Sequence, residues 1–244
     1  MTQGPVWITG ASSGIGRALA LRLARDGRQV IASARSTDAL ANLARENGNI
    51  VAWPLDVTDA GACEKAVAEI EAAHGPLALA VLNAGTHKAT PATDFSATDF
   101  RALVDINLMG TVNALAPLLA RRTKHIAVVA SVAGYSGLPT AAGYGATKAA
   151  LINMCEALKP ECDALGIKLQ LVDPGFVKTP LTDKNNFPMP FIMEVDNAVE
   201  ALVRGLASDR FEIVFPRRFA LILKFLRLLP YRLYFPLVRK ATGK

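Results

Sequence analysis

The chain has 244 residues, 51% of them hydrophobic, enough for one large α/β domain with a full core and short for two. Its formal charge of +6 belongs to its end: residues 213–244 hold eight basic side chains and no acidic one, so the remainder carries −2 and a nucleic-acid-binding body is excluded. The cysteines, Cys63, Cys155 and Cys162, lack metal or redox spacing and read as reduced, buried thiols of a cytosolic protein, and neither a signal peptide nor an uninterrupted membrane-spanning run is recognisable.

In chain order, residues 5–10 predict a first strand, 14–26 a helix stopped by Gly27, and 28–33 a second strand, together a βαβ unit. Thr9-Gly-Ala-Ser-Ser-Gly-Ile-Gly16 joins the first strand to its helix. Gly10, Gly14 and Gly16 permit a tight turn and close approach of the backbone to a ligand, leaving helix N-terminal amides for a pyrophosphate; a glycine-rich turn without a ligand is the plainer alternative. Further strands are expected over 50–54, 77–82, 126–130, 168–172 and 211–215. Further helices are expected over about 99–119, over 146–165 with Gly166 as its stop, and over 194–207. Strands alternating with helices imply a parallel sheet with right-handed crossovers. The irregular stretch 176–193 has the length of a functional loop.

Tyr144 and Lys148 are four residues apart, so a helix from Gly145 onward sets them one turn apart on one face. An ammonium beside a phenol favours phenolate and is expected to draw a group of reference pKa about 10 toward the range of a general acid. Ser131 ends the apolar run 126–130, and its hydroxyl is a donor for a substrate oxygen. An acid and an oxygen-binding donor suit carbonyl reduction, although a Tyr-x-x-x-Lys pair also occurs on ordinary solvated helices. His74, His87 and His125 are scattered without partners at ligand spacing, so no metal is implied.

These motifs, in this order, resemble the short, non-extended branch of the short-chain dehydrogenase/reductase (SDR) family over residues 5 to about 180. The glycine spacing is the branch's Thr-Gly-x-x-x-Gly-x-Gly. Asp56, followed by Val57, stands where the family has an adenine contact, and Asn83-Ala84-Gly85 looks like the family's Asn-Asn-Ala-Gly with Leu82 in the first position. Asn107, Ser131, Tyr144 and Lys148 stand at the family's catalytic spacing, and Pro174-Gly175 follows the sixth strand. The resemblance implies one doubly wound Rossmann-type α/β domain over 1–215, a seven-stranded parallel sheet of order 3-2-1-4-5-6-7 with helices on both faces. It implies a nicotinamide nucleotide held by Gly10, Ser12, Ser13, Gly14, Ile15, Gly16, Arg35, Asp56, Val57, Asn83, Ala84, Gly85, Tyr144, Lys148, Pro174, Gly175, Val177 and Thr179. In the implied reaction Ser131 positions a carbonyl and Tyr144 protonates its oxygen. Lys148 holds the nicotinamide ribose and favours the tyrosinate, and Asn107 fixes a water joining Lys148 to solvent.

The second strand ends Ala32-Ser-Ala-Arg35 with no acid before Asp38, so Arg35, with Ser12 or Ser13, favours the 2′-phosphate of NADP(H) over NAD(H); a solvated charge leading a helix is the alternative for Arg35. Phe176, Leu181, Phe187, Met189, Phe191, Ile192 and Met193, with Leu138 and Pro139, make an apolar cover that favours a lipophilic ketone or aldehyde, unless they simply pack the loop down. Lys88 and Lys178 keep an acyl-carrier substrate open. An epimerase or dehydratase of the extended branch needs a larger C-terminal domain than this length supplies. The competing class is a non-catalytic NADP(H)-binding sensor or scaffold. By resemblance, the helices over about 99–119 and 146–165, with small Ala146, Ala149 and Ala150, form the face of a homodimer or homotetramer.

Beyond residue 215 the family pattern ends. Segments 219–229 and 231–235, stopped by Pro230 and Pro236, alternate apolar with basic residues. On a helical wheel Arg217, Arg218, Lys224 and Arg227 occupy one half, leaving a broad Leu/Ile/Phe face opposite. The tail, residues 216–244, is therefore expected to be an amphipathic anchor on an anionic membrane surface, or else an arm on a neighbouring subunit or disordered. The enzyme is expected to be cytoplasmic, with a peripheral position on the inner face of the membrane.

Overall fold

The computed structural model describes residues 4–184 and 189–243. Alternation at period 2 builds its centre: in β1 (Val6–Thr9), Val6 and Ile8 enter one apolar layer and Trp7 the other, and all four residues are buried. A strand covered on both faces reads as this kind of continuous apolar run. The other strands are β2 (Val30–Ala34), β3 (Ile50–Pro54), β4 (Leu79–Leu82), β5 (His125–Val129), β6 (Lys168–Pro174) and β7 (Glu212–Phe215). All pair in parallel, in the order β3-β2-β1-β4-β5-β6-β7. Val6 is in register with Val30 on one side and Leu79 on the other, so the order reverses between β1 and β4 and opens a crevice at their carboxyl ends.

Under one face lie α1 (Gly14–Arg25), α2 (Thr37–Glu46) and α7 (Val195–Leu206), contributing Leu19, Leu23, Leu40, Leu43, Val199 and Leu202. Over the other lie α3 (Ala60–His74), α5 (Gly110–Ala120) and α6 (Ala142–Ala164), which bury Val67, Ile70, Leu115, Leu118, Leu151 and Cys155. All three cysteines are buried free thiols, and burial raises Cys63 to about 11 and Cys155 to about 12.

Several expected boundaries move by a residue or more, three of them for identifiable local reasons. The second strand starts at Val30, not at residue 28, because the Arg28 N–H is used in closing α1, donating to Leu23 O at 3.1 Å. The sixth runs on to Pro174, where a proline needs no further ladder donor. The long helix begins at Ala142, four residues before the expected start, and so takes in Tyr144. A Cβ on Gly143 would sit 2.7 Å from Leu103 Cδ1, so the glycine lets the helix pass close to α4 (Ala97–Leu103).

α4 continues through a π turn, Val104–Met109, into α5. Among the described residues, Ala97–Ala120 is the one helix long and apolar enough to cross a membrane, although Asp99, Arg101 and Asp105 interrupt its apolar run. Here its first half packs on α6 and its second on α3.

After β7 come α8 (Arg217–Arg227) and α9 (Tyr231–Thr242). The apolar face opposite the cations, expected to face a membrane, instead packs inward: Phe219, Ala220 and Leu223 are buried in the same layer as Trp7 and Leu151. That layer lacked a cover beside β7, and this face supplies it. In α9, Tyr234 and Val238 are buried, and the Tyr234 hydroxyl donates to Gly137 O.

Candidate active site

At the reversal point a cleft of ≈ 440 Å³ opens. Gly10, Ser12, Ser13, Gly14, Ile15, Arg35, Asp56, Val57, Asn83, Ala84, Gly85 and Thr179 line it, as expected of nucleotide residues, whereas Gly16, Tyr144, Lys148, Pro174, Gly175 and Val177 do not. Two of the glycines cannot be replaced without moving backbone. A Cβ on Gly10, whose φ is +67°, would lie 2.7 Å from Ala84 Cα, and one on Gly16 would lie 2.4 Å from Gly10 O. The crowding comes from the loop after β4, which is clamped to the glycine turn. Thr9 Oγ1 accepts from the N–H groups of Asn83 (3.0 Å) and Ala84 (3.1 Å), and Asn83 Nδ2 donates to Thr9 O and Gly10 O at 3.1 and 3.2 Å.

Ser13 heads α1 without a side-chain cap, leaving the first amides of the helix for a ligand anion. At the far end Arg35 and Ser36 line the cleft beside Ser12 and Ser13, while Ser33 is buried, accepting the Trp7 indole N–H at 2.9 Å, and does not line the cleft. Asp56 accepts from the Thr58 N–H (3.0 Å) and hydroxyl (2.8 Å); these bonds hold its pKa below the usual range, with Arg35 helping. A nucleotide fits this donor set: backbone amides at the turn, an ionised carboxylate near β3 and a guanidinium at the end of β2. Ala34, Ser36, Leu55, Thr86, Ile106, Pro180 and Leu181 also line the cleft and were not expected there. Ser36 and Leu55 adjoin Arg35 and Asp56 and were within reach of a strand-end argument, but nothing local to Thr86 or Ile106 signals that Asn107 joins them.

Asn107 is fully buried in the π turn. Its Oδ1 accepts from the Thr86 N–H (2.7 Å), and its Nδ2 donates to Thr86 O (3.0 Å) and Thr147 Oγ1 (3.1 Å). Both amide protons are thus used in fastening the 83–86 loop to α6, and the side chain keeps a single acceptor lone pair for anything else. Lys148, 4% exposed, donates to Val129 O at 2.9 Å, and burial lowers it to about 8. A Cβ on Gly85 would lie 3.3 Å from Asn107 Oδ1 and 3.6 Å from Lys148 Nζ, so these groups converge on one point.

Tyr144 lies in the first turn of α6, with Lys148 Nζ 5.7 Å from its ring centroid and the ring of His87 edge-on at 4.9 Å. The spacing argument expected a lowered phenol pKa; the phenol is instead held up, first by burial and further by Asp173, with a hydrogen bond from Ser131 pulling the other way. Low dielectric outweighs a lysine that is itself desolvated and turned to Val129. Ser131 caps a short 3₁₀ turn, accepting from the Ala133 N–H (3.1 Å) and donating to Pro174 O (3.2 Å).

Behind these groups lies a cluster no motif announced. Asp173, fully buried, has one oxygen without a partner, and the other takes the Tyr135 hydroxyl at 3.4 Å. The hydroxyl's single proton is shared with Glu212, the nearer acceptor at 2.6 Å, and Glu212 pairs with Lys224 of α8. Burial, then the charge of Glu212, raises Asp173 to about 7. Its members are dispersed between residues 135 and 224, so only the fold unites them.

In the loop expected to cover a substrate, Phe176 stacks on Phe219 of α8 at 5.5 Å, and Phe191 lies 5.9 Å from the same ring. Leu138 packs against the core, and Phe191 and Ile192 remain about half exposed. Leu181, expected in this cover, lines the nucleotide cleft, and Phe187 lies outside the described residues. Lys88 and Lys178, expected as anion receivers, are paired with Asp99 and Glu194. His125 bonds Gln170 at 2.7 Å and is lowered by burial to about 4, His74 bonds Gln29, and no three ligating side chains gather among the described residues.

The chain matches the short chain dehydrogenase family over residues 5–189. An uncharacterized oxidoreductase of Myxococcus xanthus is 38% identical over 235 residues, covering 93% of each chain. One from Staphylococcus epidermidis is 31% identical, covering 82% of this chain and 90% of its own. Among solved structures, a short-chain dehydrogenase from Streptomyces avermitilis superposes with a TM-score of 0.83 at 26% identity and covers 99% of this chain and 98% of its own, tail included. An actinorhodin polyketide ketoreductase with NADPH shares the fold with a TM-score of 0.77 at 24% identity, over 87% of this chain and 95% of its own. The chain belongs to the short-chain dehydrogenase family and is an NAD(P)-dependent oxidoreductase.

Proposed function

We propose that the protein is an NADPH-dependent carbonyl reductase acting on a lipophilic ketone or aldehyde. The observation that carries this reading is the convergence of Asn107, Ser131, Tyr144 and Lys148 beside a nucleotide-shaped cleft. Bound there, the nicotinamide supplies the hydride that adds to the carbonyl carbon. The Ser131 hydroxyl turns from Pro174 O to the carbonyl oxygen and orients it. Tyr144 gives that oxygen its proton, completing the alcohol; a phenol whose pKa is held up stays protonated at neutral pH, the form a general acid needs. Lys148, with a pKa near neutrality, balances the tyrosinate and returns a proton to it. With the Asn107 amide protons engaged by Thr86 and Thr147, the water leading from Lys148 to solvent falls to a main-chain carbonyl of the π turn or the one remaining lone pair.

The preference for NADP(H) rests on Arg35 and Ser36 at the end of β2, where no carboxylate stands to repel a 2′-phosphate. The apolar cover of Phe176, Phe191 and Ile192 over Phe219 favours a lipophilic substrate. Ala146, Ala149 and Met109 are exposed on α6 and the Ala97–Ala120 helix, a face suited to pairing two copies, which supports the reading of a homodimer or homotetramer; the enzyme is proposed to be cytoplasmic. NADPH oxidation followed over long-chain aldehydes, ketones and 3-oxoacyl thioesters tests the reading. Turnover of apolar carbonyls supports it, and cofactor binding without turnover of any of them overturns it.

A further inference from the structure

Once the inner face of α8 is packed away, the outer surface of the tail stays apolar. Leu221 (66% exposed), Phe225 (62%), Leu228 (79%) and Tyr231 (76%) are followed by Leu233 and Phe235, both over half exposed. Eight of the thirteen exposed large hydrophobic residues of the described chain lie between 221 and 237, which makes this a patch and not scatter. At about 100° per residue, Arg217, Arg218, Leu221, Phe225 and Leu228 share one arc of α8, opposite the buried Phe219 and Leu223. In α9, Arg232, Arg239 and Lys240 lie on the side away from buried Tyr234 and Val238. Among the described residues only one tail cation, Lys224, has a carboxylate partner.

We infer that the outer surface of α8 and α9 docks on an anionic lipid surface, with the leucines and aromatic rings in the acyl boundary and the arginines reaching phosphate. Long basic side chains can lie along apolar surface while their heads stay at the polar level, so mixing the two kinds of residue on one face is compatible with this. Charge decides against a second copy as the occupant. A twofold contact through this surface sets arginines against arginines, with no acidic residue in the tail to offset them, whereas anionic headgroups complement every one. Docking depends on the tail alone and not on what the site reduces. If the reductase reading also holds, the Phe176 and Phe191 contacts with Phe219 tie the substrate loop to the inner face of the helix whose outer face docks.

The test uses full-length protein floated with phosphatidylcholine vesicles, with and without phosphatidylglycerol. Wild type is expected to float with the anionic vesicles and to be released by high salt. The pair Leu221→Gln with Phe225→Gln, and separately Arg217→Gln with Arg218→Gln, are each expected to lower partitioning roughly tenfold or more. Cofactor binding, followed by fluorescence, should be unchanged in both because none of the four side chains is near the cleft; it checks folding, and its loss in wild type would count against the nucleotide site alone. Wild type that stays down with anionic vesicles overturns docking. So does an apolar double variant that still floats, or one that reduces the oligomer's mass by light scattering, since the surface then belongs to a second copy.

Discussion

The two ends of the active-site crevice are built from different materials. The nucleotide end is backbone: a glycine turn, a strand-end loop clamped to it by Thr9 and Asn83, and an uncapped helix start. The proposed substrate end is side chains contributed by distant segments: Phe176, Phe191 and Phe219 in one cluster, with Tyr135, Asp173, Glu212 and Lys224 in another behind it. A cradle made of main chain tolerates almost no change at its few contact points and presents the same donors to every nucleotide. A wall made of side chains can be altered piece by piece, so the contrast separates what the family shares from what distinguishes this member.

The sharpest break of that contrast is Tyr144→Phe, which removes one proton from the substrate end while leaving the cradle whole. Turnover should fall by about 10³-fold, within the range for general acid catalysis, with NADPH affinity by fluorescence titration nearly unchanged; a comparable kcat would remove Tyr144 from the role of acid. Next in size is Phe219→Ala, expected to lower stability by about 3 kcal/mol in urea unfolding, since it empties a buried ring site between α8 and the substrate loop. A shift near zero would mean the tail is only loosely attached.

Asp173→Asn probes the wall through pH. The folded state holds the Asp173 proton up to about 7, against an ordinary value of 3.8. Below the ordinary value both states are protonated. As pH rises toward 7 the unfolded chain releases its proton first, so wild type loses stability across that window and stays low above it. The Asn variant lacks this slope and should gain on wild type by a few kcal/mol between pH 4 and pH 8, measured from urea midpoints. Parallel profiles would mean the carboxyl is ionised when folded. The smallest effect belongs to the cradle's edge: Arg35→Ala should weaken NADPH by roughly tenfold and NADH little, because one charge-assisted contact is lost and the amides remain. Equal losses would show that Arg35 does not read the 2′-phosphate.

The same contrast explains what the sequence revealed. The strands, the glycine turn and the one-turn spacing of Tyr144 and Lys148 were legible because each depends on neighbours a few residues away: an apolar run, a strand-to-helix junction, one helical turn; the strand order, which is long-range, came only through the family resemblance. The start of α6 at Ala142 was not legible, because the close contact that Gly143 makes there is with Leu103, forty residues earlier. The raised phenol of Tyr144 was out of reach for a similar reason, since burial and Asp173 set it and neither is local. The tail's wheel shows the apolar stripe through Phe219 and Leu223, but it does not say which face meets the core, and Leu221, Phe225 and Leu228 share the arc of Arg217 and Arg218. Only β7's position at the edge of the sheet, leaving that layer uncovered, turns the Phe219 face inward.

The π turn at Val104–Met109 carries a consequence of phase. It holds one residue more than an α-helical turn of the same span, so the apolar stripe after it is rotated by roughly 100° relative to the stripe before it. A single rod can therefore mesh with α6 through its first half and with α3 through its second, as two gears offset on one shaft. Removing one residue from this segment would bring the halves back into phase. Either Leu103 or Leu118 would then lose its seat, and the amide of Asn107 would swing away from Thr86.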